Sequence, residues 1–417
     1  MGAESTARQL HDGSQKATAT LPQDLASRFR HLAKLYLGQD VGDKIIKIAT
    51  RQPPEEGWYP HRTFGGDNYA YKYEPAAWWT AGFFPGNIWK VYERSLHRQQ
   101  SYSSQDILDQ ALRWQKGLEP AQYDTSTHDL GFMILPSFYS HYRLCGNEAS
   151  KQVVLNAAKS LSSRWSETVQ SLRSWDRVVT KRLNITDTET NFLVIADNMM
   201  NLDLLYLASE MTGDPEYARR ATIHARTSIK HIIRDDYSTY HLVNFDPATG
   251  AVKAKYTVQG YADESAWARG QAWALYGYAT VYKHTRDPEF LDVARRLGAY
   301  FCRRVEETCP AGAVWWDFDA PVQGSGIRDT SAAMAACSGM LLLYELTGLC
   351  EMLGTVATIL EYTVSQSRVA GSDTVVVGAT VNANKDALTP SWETGLVYAD
   401  YYFLEVGNRM LELGFCD

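Results

Sequence analysis

The stretch TGDPEYA, residues 212–218, decides the fold. A glycine closes one apolar-periodic run and Asp-Pro-Glu opens the next, the chemistry that stops one helix and starts another within a few residues. Variants stand at CGNEAS (145–150), TRDPEFL (285–291) and TGLCEML (347–353), each between two amphipathic runs. The turn residues Gly146, Gly213, Arg286 and Gly348 recur at near-regular intervals. The repeat reads as a series of helical hairpins with tight turns.

Working outward from these turns, helices that end at them cover about 128–145, 197–212, 266–285 and 329–347. Helices that leave them cover about 149–169, 215–233, 288–306 and 350–367. Segments at about 79–95 and 393–413 fit the first set and 104–118 the second, with about 24–50 as the sixth outer partner. The first set is small and apolar on most faces, as in SAAMAACSGMLLLYEL, which is the pattern of a helix buried among helices. The second carries more Arg, Lys and Glu, as in PEYARRATIHARTSIKHIIR. Inner and outer rings follow: an all-α chain forming an (α/α)6 barrel of six inner and six outer helices. Strand signal is confined to short pieces near 237–258 and 313–318. Residues 1–23 read as a flexible N-terminal segment and 24–417 as one barrel domain.

Loop lengths place the working end. Inner-to-outer turns take a few residues, whereas the returns at roughly 170–196, 234–265, 307–328 and 368–392 are long, and long connections in a compact domain usually carry function. They lead to the N-terminal ends of the inner helices, where the sequence reads WWTAG, THDLG, ADNMM, DESAWARG, IRDTSA and PSWETG. Polar and aromatic residues thus gather at one end of an apolar ring.

Composition narrows the chemistry. The net charge of -7 without a Lys/Arg block argues against nucleic acid. No apolar run is long enough to span a membrane, and the N-terminal residues lack an apolar export core, so a cytoplasmic protein is expected. Six cysteines without a CxxC pair read as free thiols, and the Asn184 sequon as idle. With 12 Trp and 25 Tyr, the chain has more flat amphipathic rings than packing needs, which suits a sugar-lined cleft. HExxH, Cys/His metal spacing, G-x-S-x-G and phosphate-loop motifs are all missing, and GGDNYAY (65–71) reads as a plain glycine turn.

Asp129 and Asp197 each precede an apolar-periodic run, and each alone reads as a helix cap. Together at one rim with Trp, Gln and Arg they read as an acid/base pair. Converging helix N-termini are expected to lower both pKa values, while mutual repulsion leaves one carboxyl protonated. Asp329, heading the fifth inner helix, reads as a cap, and Arg269 has Glu264 or Asp263 as alternative structural partners.

The stretches HDLGF, DNMMNL, ESAWARGQAWALYGY and SWETGLVYADYYFLE resemble the unsaturated glucuronyl hydrolases of glycoside hydrolase family 88, over nearly everything after about residue 30. The resemblance implies an (α/α)6 barrel and release of the 4,5-unsaturated uronic acid that polysaccharide lyases leave on glycosaminoglycan-type oligosaccharides. It implies that Asp197 is the proton donor and water-activating residue, and Asp129 the assisting carboxylate. It implies substrate contacts from Gln259, Arg269, His241, Trp267 and Trp273, and an aromatic wall from Trp79 and Phe83. His128 joins this set beside Asp129, which it orients, and Trp392 with Ser391 is a candidate for the far side. The expected reaction protonates C4 of an enol ether and adds water at C5 of an unsaturated uronic-acid-containing oligosaccharide, with no metal or cofactor and with neither nucleic acid nor membrane as a partner. The rival readings are an unsaturated rhamnogalacturonyl hydrolase, a sugar epimerase working through paired histidines, and a non-catalytic sugar-binding barrel.

Overall fold

The computed structural model describes residues 21–66, 68–321 and 326–416, so the expected flexible segment 1–23 falls almost wholly outside the described residues. Chain direction reverses at each turn named above. Helix α1 (Gln23–Tyr36) and α2 (Gln39–Ala49) lead into α3 (Phe83–Ser95) and α4 (Ser104–Lys116). Then α5 (Leu130–Ile134), a π-helical turn (Leu135–Tyr139) and α6 (Ser140–Cys145) run on as one rod into α7 (Glu148–Ser162). Pro136 sits in that π turn, where a missing N–H forces the ladder to widen. The remaining pairs are α8 (Asn198–Thr212) with α9 (Pro215–His231), α10 (Ala268–Thr285) with α11 (Pro288–Thr308), and α12 (Thr330–Thr347) with α13 (Leu353–Gln366). Helix α14 (Val397–Glu412) closes the chain.

The turn chemistry is as the sequence dictates. Gly146, Gly213, Arg286 and Gly348 all close their helices in the left-handed region. Asp214 and Asp287 cap the next helices by accepting from Glu216 N–H and Glu289 N–H, with proline at the first helical position.

Helices α3, the rod with α5, α8, α10, α12 and α14 pack each against the next, and α14 returns to α3. Their partners α4, α7, α9, α11, α13 and α1 lie against them in the same order, with α2 against α3 and α4. Every residue of α12 from Thr330 to Tyr344 is buried, and so is α10 from Ala268 to Val281, whereas α9 buries one face. The apolar content expected of the first set is therefore spent on contacts all round.

The structure corrects the strand expectation. An antiparallel hairpin joins β1 (Trp58–Gly65) to β2 (Asn68–Pro75), so the GGDNYAY stretch, expected as a plain glycine turn, supplies Gly65 to one strand and Asn68–Tyr71 to the other, with Asp67 outside the described residues. Two-residue ladders pair β3 (Trp165–Ser166) with β4 (Ser171–Leu172) and β5 (Val178–Val179) with β6 (Asn184–Ile185). A three-stranded sheet joins β7 (Phe192–Ile195), β8 (Leu242–Phe245) and β9 (Val252–Tyr256). Only the last two lie in the expected 237–258 window, and 313–318 contributes isolated bridges. The β1–β2 hairpin is local but does not alternate cleanly between buried and exposed residues, the other pieces are two to five residues long, and β7 meets β8 only across the α8–α9 hairpin, so local periodicity does not announce them.

Candidate active site

The sheet sets the two carboxylates side by side. Strand β7 runs straight into Asp197, and its Ile195 pairs with Leu242 so that Ala196 N–H reaches His241 O at 3.0 Å. On the other flank, Leu193 bridges Trp175, and Trp175 bridges Thr127, two residues before Asp129. The helices behind close up tightly: a Cβ on Gly131 would stand 2.8 Å from Asn201 Cα, so only glycine lets α5 lie this near α8.

Neither aspartate caps its helix by a side-chain hydrogen bond, which removes the bland reading of both. Asp197 is 8% exposed, and its Oδ1 is buried without a hydrogen-bond partner among the described residues. Burial pushes its carboxyl up to about 7, Asp129 adds to the rise, and the Arg269 charge opposes it. The expected downward shift does not occur, because loss of water outweighs the helix-end dipole. Asp129 accepts from Thr127 Oγ1 at 2.8 Å, and its Oδ1 lies 3.2 Å from His128 Nε2, without hydrogen-bond geometry.

His241 is buried, and its Nδ1 accepts the Val258 N–H at 3.2 Å, which leaves the proton on Nε2. Burial and Arg269 push its pKa down to about 3, so the ring is a neutral donor. Its Nε2 and the Nε1 groups of Trp267 and Trp273 are buried without protein partners among the described residues. Trp267 lies 4.5 Å from His241 ring to ring, and Trp175 lies 5.8 Å from it, edge on.

Arg269 is 2% exposed and pairs with Asp329 Oδ2 at 2.6 Å, not with Glu264 or Asp263. Those two face Arg234 and Arg182 instead. The Arg269 guanidinium also donates to Gln259 Oε1 at 2.8 Å, to Val381 O at 2.7 Å and to Thr380 O. It thereby ties α10 to the head of α12 and to the loop before α14. The bond to Oε1 fixes the Gln259 amide, so that its NH2 is the outward donor. Asp329 caps Ser331 and Ala332 as read, but it is also the partner of Arg269, which the sequence reading missed.

The aromatic candidates divide by depth. Trp79 is half-buried and packs on Phe83, Phe132 and Tyr398. Phe83 and Trp273 are 0% exposed; they form the floor under Trp79 with Phe132 and Tyr402 and do not face solvent as a wall. Trp392 is 46% exposed, on the loop whose Ser391 bridges Asn382. Tyr398, Trp175, Thr127 and Asn198 belong to this neighbourhood and were not singled out from the sequence. The DNMMNL and SWETGLVYADYYFLE stretches contain Asn198 and Tyr398, and the TSTHD run contains Thr127, whereas Trp175 stands in an unpatterned loop.

A buried carboxyl held near neutrality with a second aspartate close by, among aromatic rings and unpartnered donors, is the equipment of an enzyme that cleaves glycosidic linkages. The profile of Glycosyl Hydrolase Family 88 matches residues 56–292. The unsaturated glucuronyl hydrolase of Formosa agariphila is 34% identical over 81% of each chain. The unsaturated chondroitin disaccharide hydrolase of Streptococcus pyogenes is 30% identical over 78% of this chain and 79% of that one. The crystal structure of an unsaturated glucuronyl hydrolase specific for heparin superposes with a TM-score of 0.76 at 31% identity, covering 93% and 98% of the two chains. The Bacillus sp. GL1 unsaturated glucuronyl hydrolase does so at 0.77 and 26%, covering 92% and 97%. The chain belongs to glycoside hydrolase family 88, and it is a glycoside hydrolase.

Proposed function

We propose that residues 24–417 form one (α/α)6-barrel catalytic domain that releases the 4,5-unsaturated uronic acid from the non-reducing end of lyase-generated, glycosaminoglycan-type oligosaccharides. The closed order of inner-helix contacts supports the barrel. The relatives' names, unsaturated glucuronyl hydrolase and unsaturated chondroitin disaccharide hydrolase, support the substrate class. A neighbouring structure, 26% identical, that carries dGlcA-Glc-Rha-Glc supports the terminal unsaturated uronic acid. The observation that carries the reading is Asp197: a buried carboxyl that caps nothing, is held near neutrality, and faces a second carboxylate.

Asp197 gives its proton to C4 of the enol ether, and positive charge develops at C5 and the ring oxygen. As a carboxylate it then takes a proton from the water that adds at C5. The hemiketal opens, expels the sugar partner and leaves a 4-deoxy-5-keto uronic acid. Asp129 assists on the water side. His241 Nε2–H and Trp267 Nε1–H, both without protein partners among the described residues, and the Gln259 amide supply neutral donors for the hydroxyl and carboxylate oxygens, with Trp273 in the floor beneath. Trp79 and Trp392 supply stacking faces, and Arg269 holds the floor and the local potential. The route as written needs no metal or cofactor. All six cysteines are free, Cys145 and Cys350 exposed ones included, which supports a reducing cytoplasm as the place of action. No helix among the described residues is long and apolar enough to cross a membrane.

The test is loss of the enol-ether absorbance across unsaturated glycosaminoglycan, xanthan, gellan and pectin disaccharides, with the product made in heavy water. Turnover of the glycosaminoglycan set with deuterium at C4 is expected. Ordinary hydrogen at C4 rules out the hydration route, and turnover of the pectin set alone moves the assignment to rhamnogalacturonyl substrates.

A further inference from the structure

Among the described residues the exposed large aromatic side chains are Phe64, Trp78, Tyr123, Tyr261 and Trp392. Each lies on a connection that leads to the N-terminal end of an inner helix, and so at the end that carries Asp129 and Asp197. A solvent-exposed ring forgoes the gain of burial, and a concentration of such rings at one end marks a binding surface. The pocket takes the terminal sugar, and the rest of an oligosaccharide must cross this rim.

The β1–β2 hairpin joins part of the rim to the pocket. On one side the His61 ring lies 5.8 Å from Trp78, edge on, and His61 Nδ1 lies 3.0 Å from Thr80 Oγ1, so β1 abuts the segment that carries Trp79. On the other side Thr63 N–H donates to Gly395 O at 2.9 Å, and Gly395 N–H donates back to Thr63 Oγ1 at 2.9 Å. The strand held in this way carries Trp392. Its Ser391 bridges Asn382, the neighbour of Val381, whose carbonyl accepts from Arg269.

Strand β1 buries His61 and Thr63 and turns Arg62 and Phe64 the other way. Lys72 stands directly across from Arg62, and its Nζ lies 4.6 Å from the centre of the Phe64 ring. Like charges directly opposite each other on paired strands are destabilising. Arg62 spends one donor on Thr63 O at 3.1 Å, and neither cation forms an ion pair among the described residues. Glu74 on β2 offsets part of the Arg62 charge. Arg62, Lys72 and Glu74 together stay net positive, on a chain whose own net charge is -7. An exposed ring beside two cations fits a sugar that carries a carboxylate.

We propose that the Arg62, Phe64 and Lys72 face of the hairpin is a distal subsite for a second uronic acid on the leaving part of the oligosaccharide. That sugar stacks at Phe64, and its carboxylate is held by Arg62 and Lys72. The enzyme therefore reads chain length and charge beyond the terminal residue. The inference rests on the proposed release of a terminal unsaturated uronic acid, because that reaction sends the remaining chain across the rim.

The test compares unsaturated di- and tetrasaccharides of unsulfated chondroitin by loss of the enol-ether absorbance, since only the longer one carries a second uronic acid. The wild type is expected to favour the tetrasaccharide by about tenfold in kcat/KM, through KM rather than kcat, with the advantage shrinking as salt is raised. Phe64→Ala and the double variant Arg62→Gln, Lys72→Gln are expected to remove that advantage and leave disaccharide kinetics unchanged. Equal kcat/KM for both lengths in the wild type, or an advantage that survives either variant, overturns the proposal. A loss of equal size on both substrates also overturns it, because a merely structural role acts without regard to length. Disaccharide turnover without a length preference sinks this inference alone, whereas a wild type inactive on both substrates ends the functional reading and this inference with it.

Discussion

Asp197 holds its proton near neutrality at a cost to the fold. Burial pushes its carboxyl up to about 7, above the roughly 3.9 of an unfolded chain. An acid that binds its proton more tightly when folded stabilises the fold below the unfolded value and loses that stability as pH rises toward the folded one. The difference is on the order of 4 kcal/mol for a group this buried. Asp197→Asn keeps the shape without the charge. It is expected to melt above the wild type at pH 8, to match it near pH 4, and to turn over at least about a hundredfold more slowly. Thermal melts across pH alongside the absorbance assay check both halves; a folded Asn variant with normal turnover ends the mechanism.

Helices here are joined by turns whose backbone is special and by one arginine that crosses between elements. Gly213 closes α8 at φ 76°, and a Cβ there would meet nothing within 4 Å. Gly213→Ala therefore tests the left-handed backbone alone, with an expected loss of about 1 kcal/mol in chemical denaturation and unchanged turnover. Arg269 is a different case. It holds Asp329, Gln259 and the carbonyls of Thr380 and Val381 together, so α10, α12 and the loop before α14 depend on it. Arg269→Ala leaves Asp329 buried without its partner, and a loss of about 3–5 kcal/mol is expected from denaturant midpoints. Arg269→Lys keeps the charge without the planar fork and is expected to recover only part of that stability.

Over the whole molecule, charge is buried at both ends of the inner helices. A cavity of about 320 Å³ opens among their C-terminal halves, lined by Lys90, Glu93, Asp203, Glu345, Glu405 and Arg409. Burial opposes ionisation of Glu405, but the Lys90 and Arg409 charges and the hydroxyls of Ser338 and Tyr276 outweigh it and hold its pKa below the ordinary value. Such an acid stabilises the fold above its unfolded pKa of about 4.3, and the contribution is lost as pH falls through the folded value. Glu405→Gln is expected to lower stability at pH 7 by about 3 kcal/mol or more, because Lys90 and Arg409 lose a counter-charge. It is also expected to flatten the decline below pH 4, which acid titration followed by circular dichroism measures. The two ends thus respond to pH in opposite directions, since Asp197 gains proton affinity on folding and Glu405 loses it.

The hairpin repeat, the inner and outer helix sets and the end that carries the polar residues were all legible from the chain. Each is written in local chemistry: a left-handed turn residue, an Asp-Pro-Glu start, and an apolar surface that runs all round a helix or along one face. The candidate acids were legible as well, because Asp129 and Asp197 stand at helix heads without the companion that a capping box needs. What the chain could not state is which charges meet. Asp329 reads as a cap from its own neighbours, and only the folded ring brings Arg269 from α10 against it. Phe83 and Trp273 carry the same residue types as a sugar platform, and depth alone makes them floor. The strands that set Asp129 beside Asp197 pair residues as far apart as Thr127, Trp175 and Leu193, through backbone groups that every sequence possesses. The pKa of Asp197 is likewise a property of its surroundings, since burial, Asp129 and Arg269 set it together, and none of the three is a neighbour in sequence.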